Sequence, residues 1–139
     1  MEPKTYCYDR LIKSEDLNHH KTLFAGRCAE WFVEAGFIAA ASALPADHIV
    51  CLKIHGLSFT QPMKSGTIAS FQSKIIHLGR TSLKVYVELN HQNIIEPIVK
   101  GFITFVHVDD DGKAVPHGLA LEIHNHEDKL LNQIAKSLD

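Results

Sequence analysis

The sequence is poor in cysteine, the residue that staples small secreted proteins and builds many metal sites. It contains three cysteines, an odd number, and no two of them stand at the C-x-x-C spacing of redox or zinc motifs. Cys28 and Cys51 lie within apolar patterns. We therefore expect Cys7, Cys28 and Cys51 to be reduced, buried thiols of a cytoplasmic protein.

Long apolar runs and basic runs are also missing. No window approaches the ~18 apolar residues of a membrane-spanning helix, and the first ten residues, MEPKTYCYDR, lack the apolar core of a signal peptide. Lysine and arginine are scattered singly, and the net charge is -2. We expect a protein that is neither secreted nor membrane-spanning, with no nucleic acid and no membrane as partner.

Repeats, low-complexity segments and linkers are absent from the sequence as well. The composition, 45% hydrophobic and 22% charged over 139 residues, is typical of a globular domain. These features predict a single domain over residues 1–139.

Apolar periodicity predicts one long helix among strands. In residues 82–89, SLKVYVEL, every second side chain is apolar, as in a half-buried strand. Residues 23–44 are too long and too rich in alanine for a strand, so we predict a helix from about Phe24 that stops near Pro45. Further strands are predicted over 4–13, 48–59, 67–78 and 98–108. Loops are predicted over 14–22 and 90–97, and turns at 79–80 and 109–112. A second helix is predicted over about 122–138, and its apolar stripe consists of Ile123, Leu130, Leu131, Ile134 and Leu138.

This order of elements constrains the architecture. Successive strands joined by short turns are mostly antiparallel, and one very apolar helix must be covered on most of its circumference. A strongly curved antiparallel sheet wrapped around a central helix, an α+β fold, satisfies both demands. Its outer face, with Tyr86, Phe102 and Val106, would be partly exposed in a monomer, which favours pairing with a second copy.

Glu34 is the one charged residue between Trp31 and Ala46. A lone carboxylate among apolar neighbours costs several kcal/mol unless it is paired, protonated or given a task. The residue therefore needs either a catalytic or a structural explanation.

The segment that contains Glu34 resembles a known family. DLNHHKTLFAGRCAEWFVEAGFIAA is similar to the signature of hotdog-fold acyl-CoA thioesterases, the acyl-CoA hydrolase branch of the 4-hydroxybenzoyl-CoA thioesterase-like superfamily. The likeness continues through HGLSFTQPMKSG, HLGRTS and FITFVHVDDDGKAVP. It implies a hotdog domain working as a dimer or an assembly of dimers (tetramer or hexamer), with acyl-CoA cleaved by water in a site between two subunits and no cofactor beyond the CoA of the substrate.

Thioester hydrolysis places negative charge on the carbonyl oxygen, which backbone N–H groups at a helix N-terminus stabilise well. Ala25 and Gly26 occupy that position in the predicted helix, and glycine lets the thioester approach the backbone. Asn18 matches the asparagine of the family and could hold the water or the carbonyl; otherwise it caps a turn. We therefore expect Asn18, Gly26 and Ala25 at the site.

The sequence departs from the family at the catalytic acid. The resemblance places that acid at Val33, with a second frequent acidic position at Glu34, and Ala25 replaces the first glycine of a pair. A one-residue shift turns a side chain by about 100° around the helix. Either Glu34 is the general base, or it extends a polar stripe with Arg27 and Glu30 and is paired within the subunit or across the dimer.

Weaker candidates complete the predicted site. Arg80, Thr81 and Ser82 lie at a turn where the family often contacts CoA, and His19 and His20 follow Asn18 directly. Neither HNH at 124–126 nor DDDG at 109–112 has enough ligands for a metal site. Two rival functions stay open: an enoyl-CoA hydratase or dehydratase of the same fold, which DLNHH loosely resembles, and a non-catalytic acyl-CoA-binding module, which Val33 favours.

Overall fold

A computed structural model describes residues 1–91 and 94–139 of the chain. Its regular elements are β1 (Tyr6–Leu11), α1 (Ala25–Ala43), β2 (Ile49–His55), β3 (Ile68–Leu78), β4 (Ser82–His91), β5 (Ile94–His107) and α2 (His126–Ser137). The five strands form one sheet in the order β1-β3-β4-β5-β2, and every neighbouring pair is antiparallel. The predicted order of strand, long helix and four strands is confirmed.

The inner face of the sheet packs on α1. Trp31, Phe32, Ala35 and Ala39 on the helix are at most 1% exposed. Gly36 lies so close to the sheet that an added Cβ would stand 2.7 Å from Ile103 Cδ1. The small residues of α1 are therefore the reason that the sheet can approach the helix axis.

The predicted inward face of β4 is confirmed, since Leu83, Val85, Val87 and Leu89 are at most 1% exposed. Each buried aliphatic side chain of this size contributes about 1.5–3 kcal/mol to folding. This row of side chains belongs to the same hydrophobic core as the buried side chains of α1.

The outer face of the sheet differs from the prediction. Tyr86 and Phe102 are only 8% exposed, because α2 covers them in a second apolar cluster with Ile76 and Ala135. Lys84 is buried there too, and its Nζ donates to the carbonyls of Ala135 and Leu138 at the end of α2, both at 2.8 Å. The outer face is therefore a surface for α2, and only Val106 of the predicted exposed residues remains half-buried.

The predicted apolar stripe of α2 is rotated. Leu131, Ala135 and Leu138 pack on the sheet, whereas Leu130 and Ile134 are 47% and 49% exposed. Polar contacts turn the helix: Lys74 pairs with the buried Asp128 at 2.5 Å, and Asn132 Nδ2 donates to the Ile76 carbonyl at 2.8 Å. The helix also begins at His126 rather than near Glu122, because Asn125 caps it.

Several boundaries and burial states also differ. The predicted loop 90–97 is largely strand, since β4 reaches His91 and β5 begins at Ile94; residues 92–93 lie outside the described part of the chain. β2 ends at His55, followed by a turn at Gly56 with φ 74°. Cys7 and Cys51 are exposed and only Cys28 is buried, because β1 and β2 are the edge strands of the sheet.

β2 is the least covered strand. Val50, Leu52 and Ile54 are 46%, 67% and 38% exposed. Their alternation in the sequence predicts one common face, which is wrong, because a bulge between Cys51 and Lys53 pairs Val50 with Val106 but Ile54 with Ile103, on the opposite face of the sheet. One edge of β2 pairs with β5, and no strand of the described residues pairs with its other edge. Neither helix in the described parts of the chain is long and apolar enough to cross a membrane.

Candidate functional site

A cavity of about 260 Å³ opens beside the start of α1. Its residues come from the loop before α1, from α1 itself, from the loop after β2, and from β4 and β5. They are Asn18, Thr22, Leu23, Ala25, Cys28, Phe59, Thr60, Gln61, Pro62, Met63, Leu89, Ile98 and Val99. The cavity therefore joins parts of the sequence that are up to 81 positions apart, from Asn18 to Val99.

The two ends of the cavity differ in burial. Ala25, Phe59, Thr60 and Gln61 are exposed and form its mouth. The buried part of the lining, here called the closed end, consists of apolar side chains that are at most 4% exposed, namely Cys28, Met63, Leu89, Ile98 and Val99. A ligand with a polar head and an apolar tail fits this arrangement.

The loop that carries Asn18 is held by hydrogen bonds. Asn18 Oδ1 accepts from the backbone N–H of His20 at 2.8 Å and of Thr22 at 3.2 Å, while the N–H of Asn18 donates to the Thr22 carbonyl at 2.8 Å. The N–H of Leu23 donates to the Met63 carbonyl at 2.7 Å. Asn18 therefore closes a turn, as one interpretation predicts, and it also lines the cavity. Its role in holding water or the carbonyl stays a prediction.

The N-terminus of α1 has no side-chain cap. Its N-cap residue is Phe24, whose N–H donates to the Asp16 carbonyl at 2.9 Å and whose carbonyl accepts from Cys28. The first N–H groups of a helix lack partners within the helix. Among the described residues none caps Ala25, Gly26 or Arg27, so these N–H groups carry the positive end of the helix dipole toward water or a ligand.

The local structure also explains why position 26 is a glycine. A Cβ at this position would lie 2.6 Å from the Phe24 ring, so glycine lets that half-exposed ring lie against the first turn. Gly26 is not among the described residues that line the cavity, whereas Ala25 is. The oxyanion role of Gly26 stays a prediction.

Cys28 is the only sulfur nucleophile in the described wall of the cavity. Burial raises the pKa of its thiol to about 11. The side chain is therefore an uncharged thiol at neutral pH and behaves as a small apolar group.

Glu34 lies away from the cavity, in a polar cluster. The Tyr8 hydroxyl donates to Glu34 Oε2, Arg10 Nη1 lies 3.8 Å from the same oxygen, and Arg10 donates to Tyr8 at 2.7 Å. The Arg10 guanidinium also stacks over the Trp31 ring at 4.8 Å. The expected apolar surroundings of Glu34 are therefore wrong: its side chain is 46% exposed and paired within the subunit.

This pairing changes the titration of the partners. Partial burial, and then the hydrogen bond to Glu34, raise the pKa of the Tyr8 phenol. The hydrogen bond with Tyr8 raises the pKa of Arg10. Of the other residues of the predicted polar stripe, Glu30 is exposed and Arg27 contacts Asp16 at 3.3 Å, whereas Glu34 is paired within the subunit, as the structural alternative expects.

Arg80, Thr81 and Ser82 form the turn between β3 and β4, outside the cavity. The N–H of His107 donates to the Thr81 carbonyl at 2.7 Å, and His117 contacts the Ser82 carbonyl at 2.9 Å. These carbonyls anchor the segment after β5, while the Arg80 side chain is exposed. This turn is therefore separate from the cavity, and its predicted contact with CoA stays a prediction.

His19 and His20 are exposed next to Asn18, and their rings lie 4.0 Å apart. Within residues 1–91 and 94–139, no group of three or more His, Cys, Asp or Glu side chains is placed to hold a metal ion.

The sequence analysis missed the far wall of the cavity. Met63, Leu89, Ile98 and Val99 carry only apolar periodicity, which predicts burial and does not distinguish a cavity wall from a core. Phe59 and Pro62, which lie in the similar segment HGLSFTQPMKSG, were a local signal only for the exposed part of the lining.

Comparisons with known proteins agree with the fold. An apo hexameric acyl-CoA thioesterase is 26% identical, with a TM-score of 0.84, and the match covers 96% of this chain and 86% of that one. An acyl-CoA hydrolase from Staphylococcus aureus, solved with butyryl-CoA and CoA, is 23% identical, with a TM-score of 0.82, and the match covers 95% and 79% of the two chains. The predicted hotdog fold is confirmed.

Sequence relatives point the same way. An uncharacterized acyl-CoA thioester hydrolase of Bacillus subtilis, YkhA, is 26% identical over 105 residues, which cover 73% of this chain and 60% of the relative. A second, from Zymomonas mobilis, is 31% identical over 81 residues, covering 55% and 53%. This chain thus spans little more than half the length of these relatives. Residues 20–98, more than half of the chain, match the thioesterase superfamily, and the chain belongs to that family.

Proposed function

We propose that the protein hydrolyses acyl-CoA thioesters to a carboxylic acid and free CoA. The observation that carries the proposal is the cavity, which has a polar mouth at an uncapped helix N-terminus and a closed apolar end. The relatives named acyl-CoA thioester hydrolases support the same substrate class.

In the proposed reaction, the thioester carbonyl lies at the mouth with its oxygen toward the N–H groups of Ala25 and Gly26. Water held by Asn18 attacks the carbonyl carbon, and the developing oxyanion is stabilised by those N–H groups. The C–S bond then breaks, and the proton taken from water by a general base is returned to the CoA thiolate. No cofactor is needed beyond the CoA of the substrate.

The proposed reaction needs a general base that is not among the described residues lining the cavity. No carboxylate is among the described residues that line the cavity. Glu34 is nine residues beyond Ala25 on α1, which is about 13 Å along the helix axis and beyond hydrogen-bond reach. We propose that Glu34 acts in the site of a second copy of the chain.

The surface that supports a second copy is β2. Its apolar side chains and its free edge are exposed, and an open edge strand readily pairs with another strand. The similar acyl-CoA thioesterase that is described as hexameric supports an assembly of dimers. The predicted interface through the outer face of the sheet is replaced by this edge, because α2 occupies that face.

Thiol release from acetyl- to palmitoyl-CoA tests the proposal. We expect turnover in the wild type, and a fall in kcat of about a hundredfold in both Asn18→Ala and Glu34→Gln. Glu30→Gln, an exposed residue one turn earlier on α1, is the matched control and should retain activity. Activity that survives Glu34→Gln assigns Glu34 to the Tyr8–Arg10 cluster alone.

Mixed dimers separate the two chains' contributions. If Asn18 and Glu34 act from different subunits, dimers of one Asn18→Ala and one Glu34→Gln chain contain one intact site, so random mixing restores about a quarter of wild-type activity. If both residues served one chain's site, mixing would restore nothing.

A second candidate function is a non-catalytic acyl-CoA-binding module. The same absence of a carboxylate from the described cavity wall favours it. Retained binding of CoA esters with no thiol release from any of them would establish this alternative.

We also propose a cytoplasmic location. Cys7 and Cys51 are exposed free thiols, which persist in reducing compartments. The net charge of -2 gives no reason to propose nucleic acid or an anionic membrane as partner.

A further inference from the structure

We propose that the cavity limits the substrate to short and medium acyl groups, up to about eight carbon atoms, and that Met63 sets this limit. The inference rests on the proposed function, because it assigns the apolar end of the cavity to the acyl chain. It adds a substrate class and a specificity-determining residue.

The direction of the acyl chain follows from burial. The thioester, which needs the N–H groups at the start of α1, belongs at the exposed mouth near Ala25. The closed end contains no charged side chain among the described lining residues, and Leu89 and Val99 there are 1% and 2% exposed. CoA, with its charged phosphates, remains outside the mouth, so the acyl chain points inward.

The volume sets the length. A cavity of about 150 Å³ lined by aliphatic and aromatic side chains holds benzene, so each heavy atom of a ligand needs about 25 Å³. The cavity of about 260 Å³ then accommodates about ten heavy atoms. Two of these are the carbonyl oxygen and the sulfur, which leaves about eight carbon atoms for the acyl group.

Met63 is the adjustable part of the closed end. Leu89 and Val99 face each other as a cross-strand pair between β4 and β5, so the sheet holds both. Met63 lies in the loop after β2, tied by its carbonyl to Leu23, and its unbranched side chain is 4% exposed against the cavity. A methionine at such a position can be shortened without interrupting a strand or a helix.

Cys28 offers the opposite change. It lines the cavity from the first turn of α1 and is smaller than any other side chain of the closed end. Cys28→Leu adds two heavy atoms to the wall, and Met63→Ala removes three. The two variants should therefore move the length limit in opposite directions.

The test is a length series with two readouts: thiol release from acetyl- to palmitoyl-CoA, and binding of S-alkyl-CoA thioethers of the same lengths, which cannot be hydrolysed. For the wild type we expect kcat/KM and affinity to rise about fourfold per methylene up to hexanoyl or octanoyl, and then to fall. Met63→Ala should move the maximum about three carbons longer, and Cys28→Leu about two carbons shorter.

Leu83→Ala is the matched control. It also removes three heavy atoms from a side chain that is 1% exposed, but Leu83 does not line the cavity. It should lower the unfolding temperature about as much as Met63→Ala does and leave the length profile unchanged.

The outcomes separate the inference from the function. A wild type that hydrolyses palmitoyl-CoA as well as hexanoyl-CoA, or two variants that keep the wild-type maximum, overturns the inference while the hydrolase stands. Length-dependent thioether binding with the expected shifts, but no thiol release, supports the inference and refutes the hydrolase.

Discussion

The two helices of this protein begin in opposite ways. The N-cap residue of α2 is Asn125, whose side chain accepts from the N–H of Asp128 at 2.7 Å, and the first turn of α2 carries Glu127 and Asp128. The N-cap residue of α1 is Phe24, which provides no side-chain cap, and the first turn of α1 has no acidic residue. The cap and the carboxylates stabilise the start of α2, whereas α1 has no side-chain cap among the described residues and only Ala25 of its first three residues lines the cavity.

The difference indicates what each helix start is for. A capped start stabilises its own helix by about 1 kcal/mol, and α2 serves to cover the outer face of the sheet. The uncapped start of α1 lacks that stabilisation, and in the proposed function its first N–H groups bind the thioester oxygen.

The largest expected effect is at the start of α2. Asp128→Ala removes the partner of the mostly buried Lys74 and leaves that charge uncompensated, so we expect the free energy of unfolding to fall by about 3–5 kcal/mol. Urea denaturation measures the loss. Glu127→Ala, in the same turn but exposed, should cost under about 1 kcal/mol, and equal losses in the two variants would contradict the assigned role of Asp128.

Giving α1 the cap of α2 should abolish most activity. In Phe24→Asn the new side chain accepts from the first-turn N–H groups and competes with the thioester oxygen, so kcat should fall about a hundredfold while the protein stays folded. Phe24→Leu, which changes the ring but provides no acceptor, is the control. Steady-state thiol release decides, and equal kcat values for the two variants would show that the helix start does not serve the reaction.

Cys28 and Asp128 are the buried side chains in the two first turns, and Cys28 makes stability pH-dependent. Its folded pKa of about 11 exceeds the reference value of 9.0, so the folded state holds the proton more tightly. The contribution is fully present below pH 9 and is lost as pH rises toward 11, by about 2 kcal/mol. Urea unfolding of wild type and Cys28→Ala at pH 8 to 11 should show a steeper decline in the wild type, so that the difference between the two free energies of unfolding changes by about 2 kcal/mol; parallel curves would refute it.

The smallest effect is at the cap itself. Asn125→Ala should lower the free energy of unfolding by about 1 kcal/mol and leave kcat unchanged. Thermal unfolding and thiol release on the same preparation check both parts. A loss of activity from this variant would mean that α2 contributes to the site.

Much of the fold was predictable because its signals are local. The alternation of Leu83, Val85, Val87 and Leu89 and the length of the alanine-rich segment are properties of neighbouring residues. The rotation of α2 was not predictable in this way, because Lys74, which pairs with Asp128, lies on a distant strand.

The residues of the candidate site show the same difference between local and distant signals. Asn18 and Ala25 lie close in sequence, and both line the cavity. Glu34 was conspicuous only because its sequence neighbours are apolar, and its actual neighbours are Tyr8 and Arg10 on β1. Met63 carried only an apolar signal, because Leu89 and Val99, which line the same cavity, are far from it in the sequence.

By itself, the sequence determined the types and order of the elements, the antiparallel sheet around one apolar helix, and the resemblance to a thioesterase family. Only the tertiary structure decided which face of α2 is buried, which residues pair with Glu34, and where the cavity ends. The physical reason is that periodicity and turn chemistry act over a few residues, whereas burial, ion pairing and cavity volume depend on chains of contacts between residues far apart in sequence.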